Sequence, residues 1–149
     1  MEIFSRITGW LNAQRVVAYC VSDGKSLWCA NAFYVFDPDA AVFYLLSSPR
    51  SRHGRMAGSR TQVAGTVSDQ AESVMRIRGL QFHGELRLLE GEEGERACKR
   101  YYRCFPFARM MSAPVWAIEI NEMKFTDNTL GFGKKLTWRR DGLSSIPVN

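Results

Sequence analysis

The stretch that most constrains this chain runs from Ala41 to Val67 as strand, turn and strand. Val42-Phe43-Tyr44-Leu45-Leu46 has the length and β-former content of a short buried strand, and Ser47-Ser48-Pro49 ends it. A dense basic segment follows, Arg50-Ser51-Arg52-His53-Gly54-Arg55 with Arg60 just beyond, before Gln62-Val63-Ala64-Gly65-Thr66-Val67 resumes as a second strand. This layout suits an anion such as a phosphate. Hydroxyls and backbone N–H groups at the end of the first strand can meet it, while guanidinium forks supply charge and bidentate geometry. The plain alternative is a solvated basic loop, because charge runs mostly lie on surfaces.

The flanking sequence extends the β pattern on both sides. Val16 to Ser22 is rich in β-formers, Asp23-Gly24 is a hairpin turn, and Leu27 to Phe36 resumes as a strand carrying Trp28, Phe33, Tyr34 and Phe36. Asp37-Pro38-Asp39 then turns the chain into the strand beginning near Ala41, which completes an antiparallel meander. The basic segment, with Met56 and Ala57, fits a short helix whose first turn faces the Ser47-Ser48 end. Beyond Val67, a turn at Ser68-Asp69-Gln70 leads to a long strand or pair of strands over Ser73 to Leu89, with Gly79 and Gly84 marking bulges or bends. Val115 to Ile120, Met123 to Phe125 and Leu136 to Arg139 read as further strands.

Helices bracket the strands. Ile3, Phe4, Ile7, Trp10 and Leu11 recur at helical spacing, so the N-terminus reads as an amphipathic helix ending near Ala13 or Gln14. Near 92–105 an acidic start, Glu90 to Glu95, and a basic continuation match the helix dipole; Ala97, Tyr101, Cys104 and Phe105 form its buried face, and Pro106 closes it. The Tyr101-Tyr102-Arg103 patch belongs to this packed helix with its arginines snorkelling. The sum is mainly β: a small barrel of six or seven mostly antiparallel strands decorated by helices.

Composition narrows the class. The 149 residues fit one domain, and 46% hydrophobic with 23% charged residues is ordinary for a globular chain. No apolar run reaches the roughly 20 residues of a membrane helix, and Glu2, Ser5 and Arg6 interrupt the N-terminus where a signal peptide would stay apolar. A cytoplasmic protein is the expectation. The net charge of +5 permits an anionic partner, either a nucleotide-like small molecule or nucleic acid. Cys20, Cys29, Cys98 and Cys104 contain no Cys-x-x-Cys pair, and with His53 and His83 as the sole histidines no metal site is expected; the thiols read as reduced and mostly core. Gly131-Phe132-Gly133-Lys134-Lys135 invites a phosphate-loop reading, but Asn128 replaces the first glycine and Lys135 the hydroxyl residue. It is no Walker A loop; it is either a flexible solvated connection or a holder of an acidic ligand.

The run from Val42 to Arg55 resembles the strand and turn of the pyridoxamine 5′-phosphate oxidase-like, FMN-binding split-barrel superfamily, where Ser-Arg-Lys-Gly-Arg grips the flavin phosphate. Trp28-Cys29-Ala30-Asn31-Ala32-Phe33-Tyr34, Ala113-Pro114-Val115-Trp116 and Lys124 to Lys135 are similar to the small YhbP-like group of bacterial proteins within it, over nearly the whole chain. The resemblance implies a split β-barrel forming a homodimer with two flavin sites at the subunit interface. It also implies that Ser47 and Ser48 hydrogen-bond the FMN phosphate or ribityl chain and that Arg52 pairs with the phosphate. His53 stands where the oxidase has lysine, which removes a full-time charge near neutral pH unless the phosphate raises the imidazole pKa. Asn31 and Phe36 replace an arginine and a lysine that contact flavin in the oxidase, and the glutamine expected before the next barrel bend falls near Gly79. Pyridoxamine phosphate oxidation is therefore not implied.

Three functions follow in order. The first is a flavin-binding protein or FMN-dependent oxidoreductase acting on a small molecule, with cofactor residues Asn31, Ser47, Ser48, Arg52 and His53; Trp28, Phe33, Tyr34 and Trp116 divide among core, interface and flavin stacking. The second is a non-enzymatic module for haem or another anionic ligand, with His53 or His83 as candidate ligands. The third and weakest is a nucleic-acid binder using Arg50 to Arg60.

Overall fold

The computed structural model describes residues 2–142. Among the described residues seven strands and three α-helices occur: α1 (Glu2–Ala13), β1 (Val16–Ser22), β2 (Leu27–Asp37), β3 (Val42–Leu46), α2 (Arg52–Ala57), β4 (Arg60–Ser68), β5 (Arg78–Leu88), α3 (Gly91–Cys104), β6 (Val115–Asp127) and β7 (Lys135–Arg139). The strands pair in the order β3-β2-β1-β4-β5-β6-β7, and β3 also pairs with β6, which closes the first six into a barrel and leaves β7 outside. Every pairing is antiparallel. The fold is the expected mainly-β barrel with helices.

Alternation fills the barrel. Val17, Tyr19 and Val21 of β1 point inward, as do Phe43 and Leu45 of β3 and Val63 and Val67 of β4. Phe43 sits at the centre, its ring 4.8 Å from that of Tyr34 and 5.3 Å from those of Phe36 and Phe82. The α1 stripe of Ile7, Trp10 and Leu11 joins this core, with Trp10 stacked 5.0 Å from Phe125. The Tyr34 hydroxyl donates to the Leu11 carbonyl at 2.6 Å and ties helix to barrel. Outside the barrel, α3 lays Ala97 and Tyr101 over Val42, Val35 and Ala117.

Several expectations need adjusting. The segment from Ser73 forms a short 3-10 turn over Val74–Arg76 and then the single strand β5, while the two runs read at 115–125 are one 13-residue strand. Of the two glycines, only Gly84 lies at a bulge, where the β5–β6 register shifts between His83 and Gly84. A Cβ there would lie 2.1 Å from the Glu119 carbonyl oxygen, whereas at Gly79 it would meet nothing nearer than 3.6 Å. The cysteines are not core thiols: Cys29 and Cys104 are exposed and Cys20 and Cys98 half-buried. Cys104 therefore leaves the buried face of α3, which Gly94, Ala97 and Tyr101 supply. The reason is geometric, since Cys20 and Cys29 occupy outward positions of their strands.

Candidate functional site

Strand β2 pairs with β3 from Asp37↔Val42 to Tyr34↔Leu45, and there the two part. The opening is a cleft of about 510 Å³ lined by Val16, Asn31, Ala32, Phe33, Leu46, Tyr101 and Met111, within the roughly 300–1,000 Å³ range of small-molecule sites. Tyr101 donates its hydroxyl to the Phe33 carbonyl at 3.0 Å, satisfying a β2 acceptor at the point of divergence. Two residues past Leu46 the chain enters the basic turn. A depression of about 540 Å³ between α1 and α3 is larger, but its arginines are Arg15 and Arg100, and Arg100 is paired with Asp37 at 3.2 Å.

The turn is held from inside the barrel. The Ser47 carbonyl accepts from Trp116 Nε1 at 2.9 Å, and its N–H donates to the Pro114 carbonyl at 3.3 Å. Ser47 Oγ lies 2.9 Å from His53 Nε2, which is also 3.2 Å from Ser51 Oγ. Ser51 donates its own proton to the Ser48 carbonyl at 2.6 Å and accepts from the Gly54 N–H at 3.1 Å, capping α2. Nε2 can donate to Ser51 in one imidazole tautomer or accept from the Ser47 hydroxyl in the other, and either way it ties the end of β3 to the start of α2. Burial lowers the His53 pKa, so the ring is neutral near pH 7. Burial raises the Tyr19 pKa, opposed by the nearby Ser47, and the Tyr19 ring meets that of His53 edge-on at 5.9 Å, so Tyr19, Ser47, His53 and Ser51 pack as one cluster. Gly54 completes the turn: a Cβ at this position would lie 2.4 Å from the Ser48 carbonyl oxygen.

Outside the barrel the turn presents uncompensated charge. Ser48 is exposed and accepts from the Arg50 N–H at 3.2 Å. The Arg52 guanidinium stacks 3.9 Å from the Trp28 ring centroid, and Arg55 donates to the Arg50 carbonyl at 2.6 Å. Among the described residues none of Arg50, Arg52 and Arg55 has a carboxylate partner, whereas Arg60 is paired with Glu85 at 2.8 Å.

The structure thus brings Ser47, Ser48, Arg52 and His53 into one turn, while Asn31 lies on the adjoining cleft wall. Ser47 is 9% exposed and engaged by His53, which leaves Ser48 as the accessible hydroxyl. Of the four aromatics singled out in the sequence, Trp116 and Tyr34 are core at 1% and 4% exposure, while Trp28 and Phe33 remain at the surface. Phe36, at 4%, points into the core and away from any ligand. Ser51, Tyr19 and Trp116 went unrecognised as supports of the turn; Ser51, an N-cap residue type just ahead of Arg52, is a helix-start signal that could have marked the first. His83 sits 3.2 Å from Glu122 on the outer face of β5, away from the cleft. Among the described residues no group of three potential metal ligands occurs, and no helix is long and apolar enough to cross a membrane.

A six-stranded closed barrel that opens at one strand edge is the split-barrel arrangement. Structures sharing it include a haem-binding protein from Mycobacterium smegmatis (TM-score 0.71, 14% identity, 93% of this chain and 57% of that one). They also include a FAD-binding protein from Mesorhizobium loti (0.62, 15%, 80% and 90%) and a candidate pyridoxamine 5′-phosphate oxidase from Listeria innocua (0.59, 15%, 83% and 96%). At such identities the likeness is one of fold. In sequence, a UPF0306 protein of Klebsiella pneumoniae is 59% identical over 141 residues, covering 95% of this chain and 96% of its own. The UPF0306 protein YhbP of Escherichia coli is 55% identical over 141 residues, with the same two coverages. The chain belongs to this UPF0306 family. No family model matches it.

Proposed function

We propose that this chain binds FMN with its phosphate on the Ser48–Arg55 turn and its ring in the cleft between β2 and β3, and serves as a flavin-dependent oxidoreductase for a small molecule. The observation that carries the reading is the trio of guanidinium groups, Arg50, Arg52 and Arg55, unpaired beside an exposed hydroxyl at the mouth of an apolar cleft. Uncompensated charge on a turn held this firmly is stabilised by an incoming anion. The donor set fits a phosphate monoester. Ser48 and Arg52 would bind it, Asn31 would face the polar edge of the ring, and Ala32, Phe33, Leu46 and Met111 would exclude water. Bound flavin would supply the electron or hydride transfer, which accords with the lack of a nucleophile–base pair in the cleft.

The same reading includes a homodimer in the cytoplasm. Phe33 and Met111 on the cleft, and Phe107 and Met110 on the turn before Met111, are 55%, 58%, 87% and 86% exposed, and a second copy would cover them. Sedimentation analysis should give a mass twice that of the chain; a monomer at micromolar concentration would remove the dimer.

The test of the function is a visible spectrum of the purified protein before and after adding FMN, with retention through desalting. A flavin spectrum that stays with the protein supports the reading. A colourless protein that ignores FMN refutes it. A Soret band would transfer the cleft to haem, a reading for which His53, already held by two serines, offers a poorly placed ligand.

A further inference from the structure

Cys20 and Cys29 are directly opposite one another on β1 and β2. Two backbone hydrogen bonds bracket this ladder: the Asp23 N–H donates to the Ser26 carbonyl at 3.3 Å, and the Tyr34 N–H donates to the Arg15 carbonyl at 3.0 Å. Hydrogen-bonded pairs alternate with non-hydrogen-bonded ones, so Val21↔Trp28 and Tyr19↔Ala30 are of the first kind and Cys20↔Cys29 of the second. At non-hydrogen-bonded positions the side chains approach most closely and the Cα atoms stand about 4.5 Å apart, inside the roughly 4.4–6.8 Å span of a disulfide. Both thiols are on the outer face, with Cys29 exposed and Cys20 half-buried. Cys20 Sγ lies 3.9 Å from the carbonyl of its neighbour Val21, and the nearby Cys29 thiol, ahead of burial, holds the Cys20 thiol above its ordinary pKa. The other two cysteines share no such register: both lie on α3, Cys98 half-buried and Cys104 exposed at its end.

We propose that Cys20 and Cys29 are an oxidative modification site, a dithiol that peroxides convert to a reversible cross-strand disulfide. The Cys29 thiolate attacks one oxygen of hydrogen peroxide, the O–O bond breaks, and hydroxide leaves with the Cys29 proton as water. The sulfenic acid formed on Cys29 is then attacked by Cys20 Sγ; the S–S bond forms, the S–O bond breaks, and a second water leaves with the Cys20 proton. The thiol pair loses two electrons and the peroxide gains them. The ladder already sets the register, so the bond closes without backbone movement. An exposed cross-strand disulfide belongs to the readily reducible kind, and a dithiol reductant returns it. This site stands independently of whether the cleft holds flavin.

Lys25 lies between the two cysteines, so trypsin separates them and a disulfide leaves two peptides joined. The full chain, reduced and then treated with stoichiometric hydrogen peroxide, alkylated and digested, should yield that joined pair. Free thiols should fall from the four present to two per chain and return to four with dithiothreitol. Cys20→Ser should yield no joined pair and a dimedone-reactive Cys29, while the Cys98→Ser, Cys104→Ser double variant should retain the bond. Four free thiols persisting in folded wild-type protein after peroxide would overturn the proposal. So would Cys29 joined instead to Cys98, to Cys104 or to a second chain.

Discussion

Replacing Arg52 by Ala tests the anion turn most directly. The guanidinium is stacked 3.9 Å from the Trp28 ring centroid and has no carboxylate partner among the described residues, so its charge is free for a ligand. A phosphate monoester carries about −1.5 to −2 charge at neutral pH. A charge-assisted hydrogen bond to it is worth about 1.5–3 kcal/mol, or roughly 10- to 150-fold in Kd at about 1.4 kcal/mol per decade. Folding should suffer far less, because an exposed cation–π contact contributes only about 0.5–1 kcal/mol. FMN fluorescence titration against wild type, Arg52→Ala and Arg52→Lys should therefore show the full loss for Ala and an intermediate loss for Lys, which keeps the charge without the fork. Arg60→Ala is the decisive control, since Arg60 shares the basic segment but is paired with Glu85 at 2.8 Å. It should leave FMN affinity unchanged. Equal losses for Arg52→Ala and Arg60→Ala would reduce the site to diffuse charge, and no loss for either would refute the assignment.

The two adjacent serines should behave differently. Ser48→Ala should weaken FMN binding at unchanged stability, and Ser47→Ala should cost about 1–3 kcal/mol of stability by breaking the Ser47–His53 hydrogen bond; chemical denaturation beside FMN titration separates the cases, and equal behaviour would contradict the division. His53 makes stability depend on pH. Its pKa is lowered by burial, so between that value and the unfolded value of about 6.5 the unfolded chain binds more protons. Stability is therefore complete above about 6.5 and is lost as pH falls toward the folded pKa. Urea midpoints measured either side of this window should fall in acid by less for His53→Gln than for wild type, and an unaltered pH dependence would exclude the residue. Gly84→Ala should destabilise by about 1–3 kcal/mol, because its Cβ would lie 2.1 Å from the Glu119 carbonyl oxygen. Gly79→Ala should be close to neutral, and thermal melts that fail to separate the two would undo the bulge assignment.

The barrel was legible because its signals are local. Alternation in Val16 to Ser22, the Asp23-Gly24 turn and the Asp37-Pro38-Asp39 turn each act within a few residues, and the meander they dictate is the one observed. What was not legible depends on partners far along the chain. Nothing near Gly84 distinguishes it from Gly79, since the difference lies in the Glu119 carbonyl on β6. Cys20 and Cys29 look like small hydrophobes in a β-rich run, and only the register between β1 and β2 turns them outward and opposite. In the turn, the basic residues were visible but their pairing was not: Glu85 removes Arg60 from the cluster, and the Leu46-Ser47-Ser48 alternation sends Ser47 in and Ser48 out.

The cleft itself follows from how the barrel closes. Strand β3 leaves β2 at Tyr34↔Leu45 but stays with β6 one residue further, to Leu46↔Val115, and the Trp116 indole and Pro114 carbonyl then hold Ser47. The opposite wall is held separately, with Phe33 paired to Val16 on β1 and its carbonyl satisfied by Tyr101. The Ser47 N–H and carbonyl on one wall and the Phe33 carbonyl on the other are thus satisfied without the opposite wall, which lowers the cost of the gap. Asn31, Phe33 and Leu46 line its lips. A barrel with such an opening can take a flavin in one protein and haem in another at the same fold, and the proposal of a phosphate-bearing ligand for this chain rests on the guanidinium groups of Arg50, Arg52 and Arg55, which have no carboxylate partner among the described residues.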